Sequence, residues 1–406
     1  MCFDKHQNQS RSFFVQLLTL IWVAALLVSC GGNPPPTTQP TATKVSQGSA
    51  PEPTEPAAME TQEPAVTESS SMDGDTALSQ EEVYWPTEAW RVAAPDEQGM
   101  DAALLRQMLE AIDEQNLNIN SVVVVHNGYI VTEKYYPPYE QDTLREIYSV
   151  TKSVVSALIG IAIQEGYINS VDDLVLDFFP ERTFENDNAL KRAITLEHLL
   201  TMSSGLEWEF DEMVASRDWV QYVLDQPMYI EPGTAFHFNS GNAHVLSAII
   251  QETSGLNTRD FAQQYLFDHL GISEIRWQRD IDGIPKRGWG MAMTPRDMAK
   301  FGYLYLNQGV WDGQQIIPAE WIAASTERYV QVPEPLEPWD LYMGYLWWLH
   351  GDGPYAAHGT KGQFIYVIPE SDLVVVITAN IPDDKYAQPQ LLIRDYIIPA
   401  VTTARQ

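Results

Sequence analysis

The chain has 406 residues, two cysteines and a formal charge of −31 at pH 7, from 24 Lys and Arg against 55 Asp and Glu. An acidic surplus with no offsetting basic block repels phosphate backbones and excludes nucleic acid as a partner. Two cysteines exclude a disulfide scaffold, so the folded part must rest on its own core, for which the length is ample.

At the N-terminus, Lys5 and Arg11 precede an apolar run from Phe13 to Cys30, FFVQLLTLIWVAALLVSC, which stops at GGNPPP. A charged start, an apolar stretch and an abrupt end read as a processing signal over residues 1–30. Such a run also suffices for one membrane span, since about 20 apolar residues cross a bilayer. Its last four residues, LVSC, resemble a bacterial lipobox and favour the signal. The resemblance implies cleavage before Cys30, lipidation on it, and a protein anchored to a membrane of the cell envelope on its extracytoplasmic side. Stable anchoring of this kind takes two or more acyl chains. Removal of the signal would leave no thiol in the folded part. Residues 31–82 are rich in Pro, Thr, Ser, Glu and Ala, too poor in large apolar residues to offset ordering entropy, and are expected to form a disordered tether. The folded domain is expected over residues 83–406.

Within it, DAALLRQMLEAIDEQN carries Leu104, Leu105, Met108, Leu109 and Ile112 at helical spacing. SVVVVHNGYIVTEKYY gives two β-rich runs around Asn127-Gly128, a strong hairpin signal. IYSVTKSVVSALIGIAI, residues 147–163, predicts a helix whose Val154, Val155, Leu158, Ile159, Ala162 and Ile163 make it apolar enough to be buried. From about 165 to 330 the pattern is mainly helical: TLEHLLTMSSG, GNAHVLSAIIQETSG, TRDFAQQYLFDHLG and TPRDMAKFGYLYLNQG each stop at a glycine suited to a C-terminal cap. Strand signal returns after PWDLYMGYLWWLH in GQFIYVIPESDLVVVITAN, a hairpin turning at PESD, and YAQPQLLIRDYIIPAV predicts a last helix. Strands at both ends with helices between them predict an α+β fold in two lobes, its antiparallel sheet assembled from distant segments.

Ser149 and Lys152 form an S-x-x-K pair at the head of the buried helix. The spacing alone is weak, since a chain of this composition yields roughly 0.6 such pairs by chance. Placement says more. Ser149 falls at the N-cap or first turn, Lys152 follows one turn later on the same face, and the helix N-terminus surrounds Ser149 Oγ with partial positive charge. A lysine just ahead of an apolar face is desolvated, which lowers its pKa as a lysine base requires. The alternative is a capping serine beside a solvated lysine.

Four ordered segments bear on that choice: SVTKS, TLEHLLTMSSGLEW, EPGTAFHFNSGNAHVLSAIIQETSG and AAHGTKGQFIYVIPESDLVVVITAN. Together they resemble the serine β-lactamase and penicillin-binding-protein superfamily over about residues 84–400. The terminal A-x-G-x-x-G-Q, Ala357 to Gln363, is most similar to class C-like esterases and 6-aminohexanoate-dimer hydrolases. The resemblance implies a β-lactamase-like antiparallel sheet flanked by helices with an all-helical lobe. It implies Ser149 as the acylated nucleophile and Lys152 as the group that takes or relays its proton. Gly359 would end the family's K-T-G triplet, and the N–H groups of Thr360 and Ser149 would form the oxyanion hole. No cofactor or metal is implied, and the partner is a small-molecule ester or amide.

Two positions depart from the family pattern. The slot of the second motif's proton-carrying tyrosine or serine holds Phe238, so either Lys152 acts as base alone, or Ser240, His237 or a water substitutes, or turnover is slow or absent. The K-T-G slots read Ala357-His358-Gly359, with Lys361 beyond them, which disfavours a β-lactam carboxylate and favours an ester, amide or small oligomer. Two further readings remain open: an envelope binding protein impaired in turnover, and a peptidoglycan-directed peptidase. Of the other histidines, His198 is expected to hydrogen-bond in the core and His126 to lie on the surface. His358 either contacts substrate or is buried with a fixed tautomer. Trp289, Trp347 and Trp348 are expected in the core rather than on a carbohydrate platform. No G-x-S-x-G elbow, H-E-x-x-H or phosphate loop is present; RGWGMAM lacks the strand a dinucleotide site needs, and the acidic residues lack metal-ligand spacing.

Overall fold

The computed structural model describes residues 84–278, 288–333, 341–351, 353–382 and 385–404. The expected signal over 1–30, its Cys30, and the tether over 31–82 lie outside the described residues.

Nine strands form the main sheet: β1 (Arg91–Val92), β2 (Ile119–His126), β3 (Tyr129–Tyr135), β4 (Val330–Gln331), β5 (Leu341–Met343), β6 (Trp348–His350), β7 (Tyr355–Gly359), β8 (Gln363–Ile368) and β9 (Leu373–Ala379). Their order is β1-β3-β2-β9-β8-β7-β6-β5-β4, so strands from both ends of the chain meet at the β2–β9 pairing. Every pairing is antiparallel except the two-residue edge strand β1, which runs parallel to β3. Asn127 and Gly128 take φ values of 50° and 76°, the geometry a tight two-residue hairpin requires. The second hairpin turns through Pro369–Ser371 and a left-handed Asp372.

The runs of valine have a simple cause. Val123, Val125, Val374 and Val376 join one hydrophobic cluster, while Val122, Val124, Val375 and Ile377 join another on the opposite face. With both faces covered, successive residues are all buried and the apolar-polar alternation of a half-exposed sheet disappears. Helix α1 (Ala102–Glu114) lies among the cluster that includes the C-terminal helical segments, through Leu105, Met108, Ile112, Leu392 and Ile397. The other cluster contains α2 (Val150–Gln164), α3 (Leu196–Leu200), α4 (Trp219–Asp225), α5 (Ser240–Ser254) and α6 (Pro295–Leu306). Of these, α6 packs on β2, β8 and β9, and α2 packs on β7 and β8 as well as on α5 of the helical lobe. Helix α2 is buried from Val150 to Ala162 and so joins the lobe to the sheet.

Three expectations are corrected. His126 is buried, not on the surface: it ends β2 between β3 and β9, and its Nδ1 lies 3.2 Å from the Asp372 carbonyl. The neighbouring turn is covered by α6, whose Tyr303 hydroxyl leaves no room for a side chain at Gly128. Of the four glycines read as helix caps, Gly255 and Gly271 are caps, with φ 74° and 65°; α3 ends at Thr201 and α6 at Asn307, before their glycines. Third, PWDLYMGYLWWLH contributes strands β5 and β6, each three residues long and too short for a period of two to show.

Candidate active site

Ser149 occupies the N-cap of α2, yet its side chain caps nothing. Its Oγ lies 2.9 Å from Lys152 Nζ, one helical turn on. Tyr148, at φ 46°, turns the chain sharply into the helix. Lys152 is 4% exposed, and its second polar contact is the Gly288 carbonyl at 2.8 Å. Burial lowers its pKa to about 7, and no carboxylate opposes the shift. In the neutral form one N–H goes to Gly288 and the lone pair can accept the Ser149 proton. Gly288 is needed as glycine, because an added Cβ would stand 2.9 Å from the Ser240 carbonyl and 3.7 Å from Lys152 Nζ.

Strand β7 brings Thr360 to the same place. At its end, an added Cβ on Gly359 would stand 2.3 Å from the Ile147 carbonyl, so only glycine lets the strand approach the segment before Ser149. Neither the Ser149 nor the Thr360 N–H is given to a backbone acceptor among the described residues. Ser149, Lys152 and Thr360 line one cavity of about 100 Å³, whose apolar walls are Met202, Phe238, Met343, Leu346 and Trp348.

Phe238 stands where the sequence places it. Its ring centroid is 5.4 Å from Lys152 Nζ, and it offers no hydroxyl. The two side chains that could replace one do not bond to the lysine among the described residues. Ser240 is the buried first residue of α5, and His237 directs Nδ1 to the Leu206 carbonyl at 3.2 Å. His358 is buried, as one of its two readings expects. It lines the cavity, but it is 4% exposed, with Nε2 3.0 Å from His350 Nε2 and its ring stacked on Trp348. Burial, then the neighbouring His350, hold its pKa well below the usual histidine value, so it is neutral. Gly359 acts through its backbone. His198 does hydrogen-bond internally: its Nδ1 accepts the Thr195 N–H at 3.1 Å at the start of α3.

Sequence reading missed several components. Trp347 is fully buried as expected, but Trp348 is half-buried and faces the cavity, and Trp289 belongs to a partly exposed aromatic row. Tyr386, from the start of the last helical region, reaches the cavity and donates its hydroxyl to Gly359 O at 3.3 Å. The Gly288 carbonyl leaves no mark in a sequence, because any residue has one.

The profile of the Beta-lactamase family matches residues 102–395. The β-lactamase of Escherichia coli K12 is 28% identical over 357 residues, covering 71% of this chain and 90% of that protein. The 6-aminohexanoate-dimer hydrolase of Paenarthrobacter ureafaciens is 22% identical over 289 residues, covering 65% and 73%. The solved structure of EstCE1, a hydrolase with promiscuous acyltransferase activity, superposes with a TM-score of 0.62 at 17% identity over 74% of this chain and 99% of its own. With the family profile spanning α1 to the last helical region on this α+β frame, the chain belongs to the β-lactamase family of serine hydrolase-type proteins.

Proposed function

We propose that the protein is an extracytoplasmic serine hydrolase, anchored by lipid at Cys30, that cleaves ester or amide bonds through an acyl-enzyme on Ser149. The carrying observation is the 2.9 Å contact between Ser149 Oγ and a buried Lys152 whose pKa is lowered to about 7. Lys152 in its neutral form takes the serine proton as Oγ attacks the carbonyl carbon. The oxyanion then develops against the Ser149 and Thr360 N–H groups, each worth about 3 kcal/mol in transition states of this type. The intermediate collapses with departure of the alcohol or amine, which takes a proton from solvent as Lys152 releases its own; water then attacks the acyl-serine, Lys152 takes its proton, and Ser149 Oγ leaves with that proton. The mainly apolar cavity and the absence of a cation in the K-T-G slots favour an uncharged acyl group over a β-lactam carboxylate.

A fluorophosphonate probe should label Ser149 covalently, and Ser149→Ala should lose both labelling and hydrolysis of short-chain nitrophenyl esters while remaining folded. A folded parent that takes up no probe would overturn the assignment. The second reading, a binding protein of the envelope impaired in turnover, is favoured by Phe238 beside Lys152. It predicts labelling of Ser149 without multiple turnovers.

A further inference from the structure

The choice of leaving group presupposes the acyl-enzyme reading of Ser149, and the groups beside Lys152 decide what can leave during acylation. Phe238, 38% exposed, begins a row of aromatic rings. Trp208 donates its Nε1–H to the Phe238 carbonyl at 2.7 Å, which pins the indole with its ring 6.4 Å from that of Phe238. Phe210, 43% exposed, stands perpendicular to Trp208 at 6.1 Å, and Trp289 lies 5.0 Å beyond it. Trp289 directly follows Gly288, whose carbonyl holds Lys152. The rings therefore lie together beside the proposed base, with Phe238 and Phe210 exposed and Trp289 stacked on the buried Trp219, and exposed rings at this position offer a surface for an aromatic leaving group.

Proton supply on this side is a separate observation. Among the described residues Lys152 hydrogen-bonds only to Ser149 and the Gly288 carbonyl. The Tyr386 hydroxyl is directed to Gly359 O, and His358 has its Nε2 against His350. A departing oxygen or nitrogen on the Phe238 side meets a ring where the family pattern has a proton-carrying hydroxyl. Alkoxides and amide anions are poor leaving groups without protonation. A phenolate leaves with its charge delocalised, and its ring can pack on other rings.

We propose that the preferred substrates are aryl esters, with the phenolic leaving group seated against Phe238, Trp208 and Phe210. In acylation, Ser149 Oγ bonds to the carbonyl carbon as its proton passes to Lys152. The carbon–oxygen bond to the aryl group breaks, the electron pair departs on the phenolate, which takes its proton from solvent, and Lys152 returns its own proton to solvent. Water then attacks the acyl carbon and gives its proton to Lys152; the bond from that carbon to Ser149 Oγ breaks, Oγ takes the proton back from Lys152, and the products are a carboxylic acid and a phenol.

The test is a set of acetate esters with one acyl group and different leaving groups, assayed on the full-length protein alongside fluorophosphonate labelling. Phenyl acetate should exceed ethyl acetate in kcat/KM by at least a thousandfold more than their ratio in alkaline hydrolysis. Phe238→Tyr should narrow that excess by about a hundredfold, the scale of a general-acid contribution. Trp208→Ala and Phe210→Ala should each raise KM for phenyl acetate by about three- to tenfold, the scale of one aromatic contact. Neither should do so for hexafluoroisopropyl acetate, whose alcohol has phenol-like acidity but no ring. Equal effects of these variants on both esters, or a phenyl preference no greater than in alkaline hydrolysis, would overturn the aryl assignment. So would labelling of Ser149 without turnover of any aryl ester, which leaves the acyl-enzyme reading intact. Failure of labelling would remove the acyl-enzyme reading itself.

Discussion

Replacing Lys152 with methionine separates the cost of burying this lysine from its use. A free lysine loses its proton near 10.5 and the buried one near 7, so holding the amine in place costs up to about 5 kcal/mol at pH 7, at 1.36 kcal/mol per pKa unit. Methionine removes that cost, fills a similar volume, and forfeits the hydrogen bond to the Gly288 carbonyl, worth roughly 1–2 kcal/mol. The balance makes Lys152→Met more stable than the parent by about 3 kcal/mol at pH 7. The sign of the pH dependence comes from proton counting. Between about pH 7 and 10.5 the unfolded chain keeps a proton that the folded lysine has released, so parent stability rises with pH by up to about 1.4 kcal/mol per unit. Below pH 7 both states are protonated at this lysine and its contribution is level. The advantage of the variant should therefore be greatest at pH 7 and nearly gone by pH 9. Urea unfolding of both proteins at pH 7, 8 and 9 measures the difference. A variant less stable than the parent at pH 7, or an advantage that does not shrink with pH, would refute the reasoning, and ester hydrolysis should be lost in either case.

For hydrolysis itself, kcat/KM should rise with pH through about 7 and then level, because only the unprotonated lysine can accept the serine proton. A flat profile between pH 6 and 8 would disconnect Lys152 from the rate-limiting chemistry. Gly359→Ala would force a methyl group to within 2.3 Å of the Ile147 carbonyl and should cost about 1–3 kcal/mol of stability, read in the same urea assay. It should also lower kcat by more than tenfold by displacing the Thr360 N–H. Cys30→Ser, expressed in a bacterial host with radiolabelled palmitate, should abolish lipid incorporation while the parent incorporates it. An unlabelled parent would sink the anchoring proposal.

What could be read from the sequence divides along the range of the interactions involved. Helices α1 and α2 and the two long hairpins follow from local periodicity and from Asn127-Gly128, so they were legible in the sequence. So was the pairing of Ser149 with Lys152, since three residues on one helix are a fixed distance apart. His126 was misplaced because a strand-end residue looks exposed until the partners that cover it, β9 and α6, are known. The cavity wall is drawn from Met202, Met343, Leu346 and Tyr386, which no local pattern associates with Ser149. The Gly288 carbonyl that holds Lys152 lies 136 residues away in sequence.

The contact between Gly359 and the Ile147 carbonyl joins backbone to backbone. The Ser149 and Thr360 backbones beside the cavity are therefore spaced by main chain, while the cavity walls are side chains on other segments. Mutations can reshape those walls without moving the backbones. Over evolutionary time such a frame can change what fits the cavity and still hand down the same spacing of Ser149, Lys152 and Thr360.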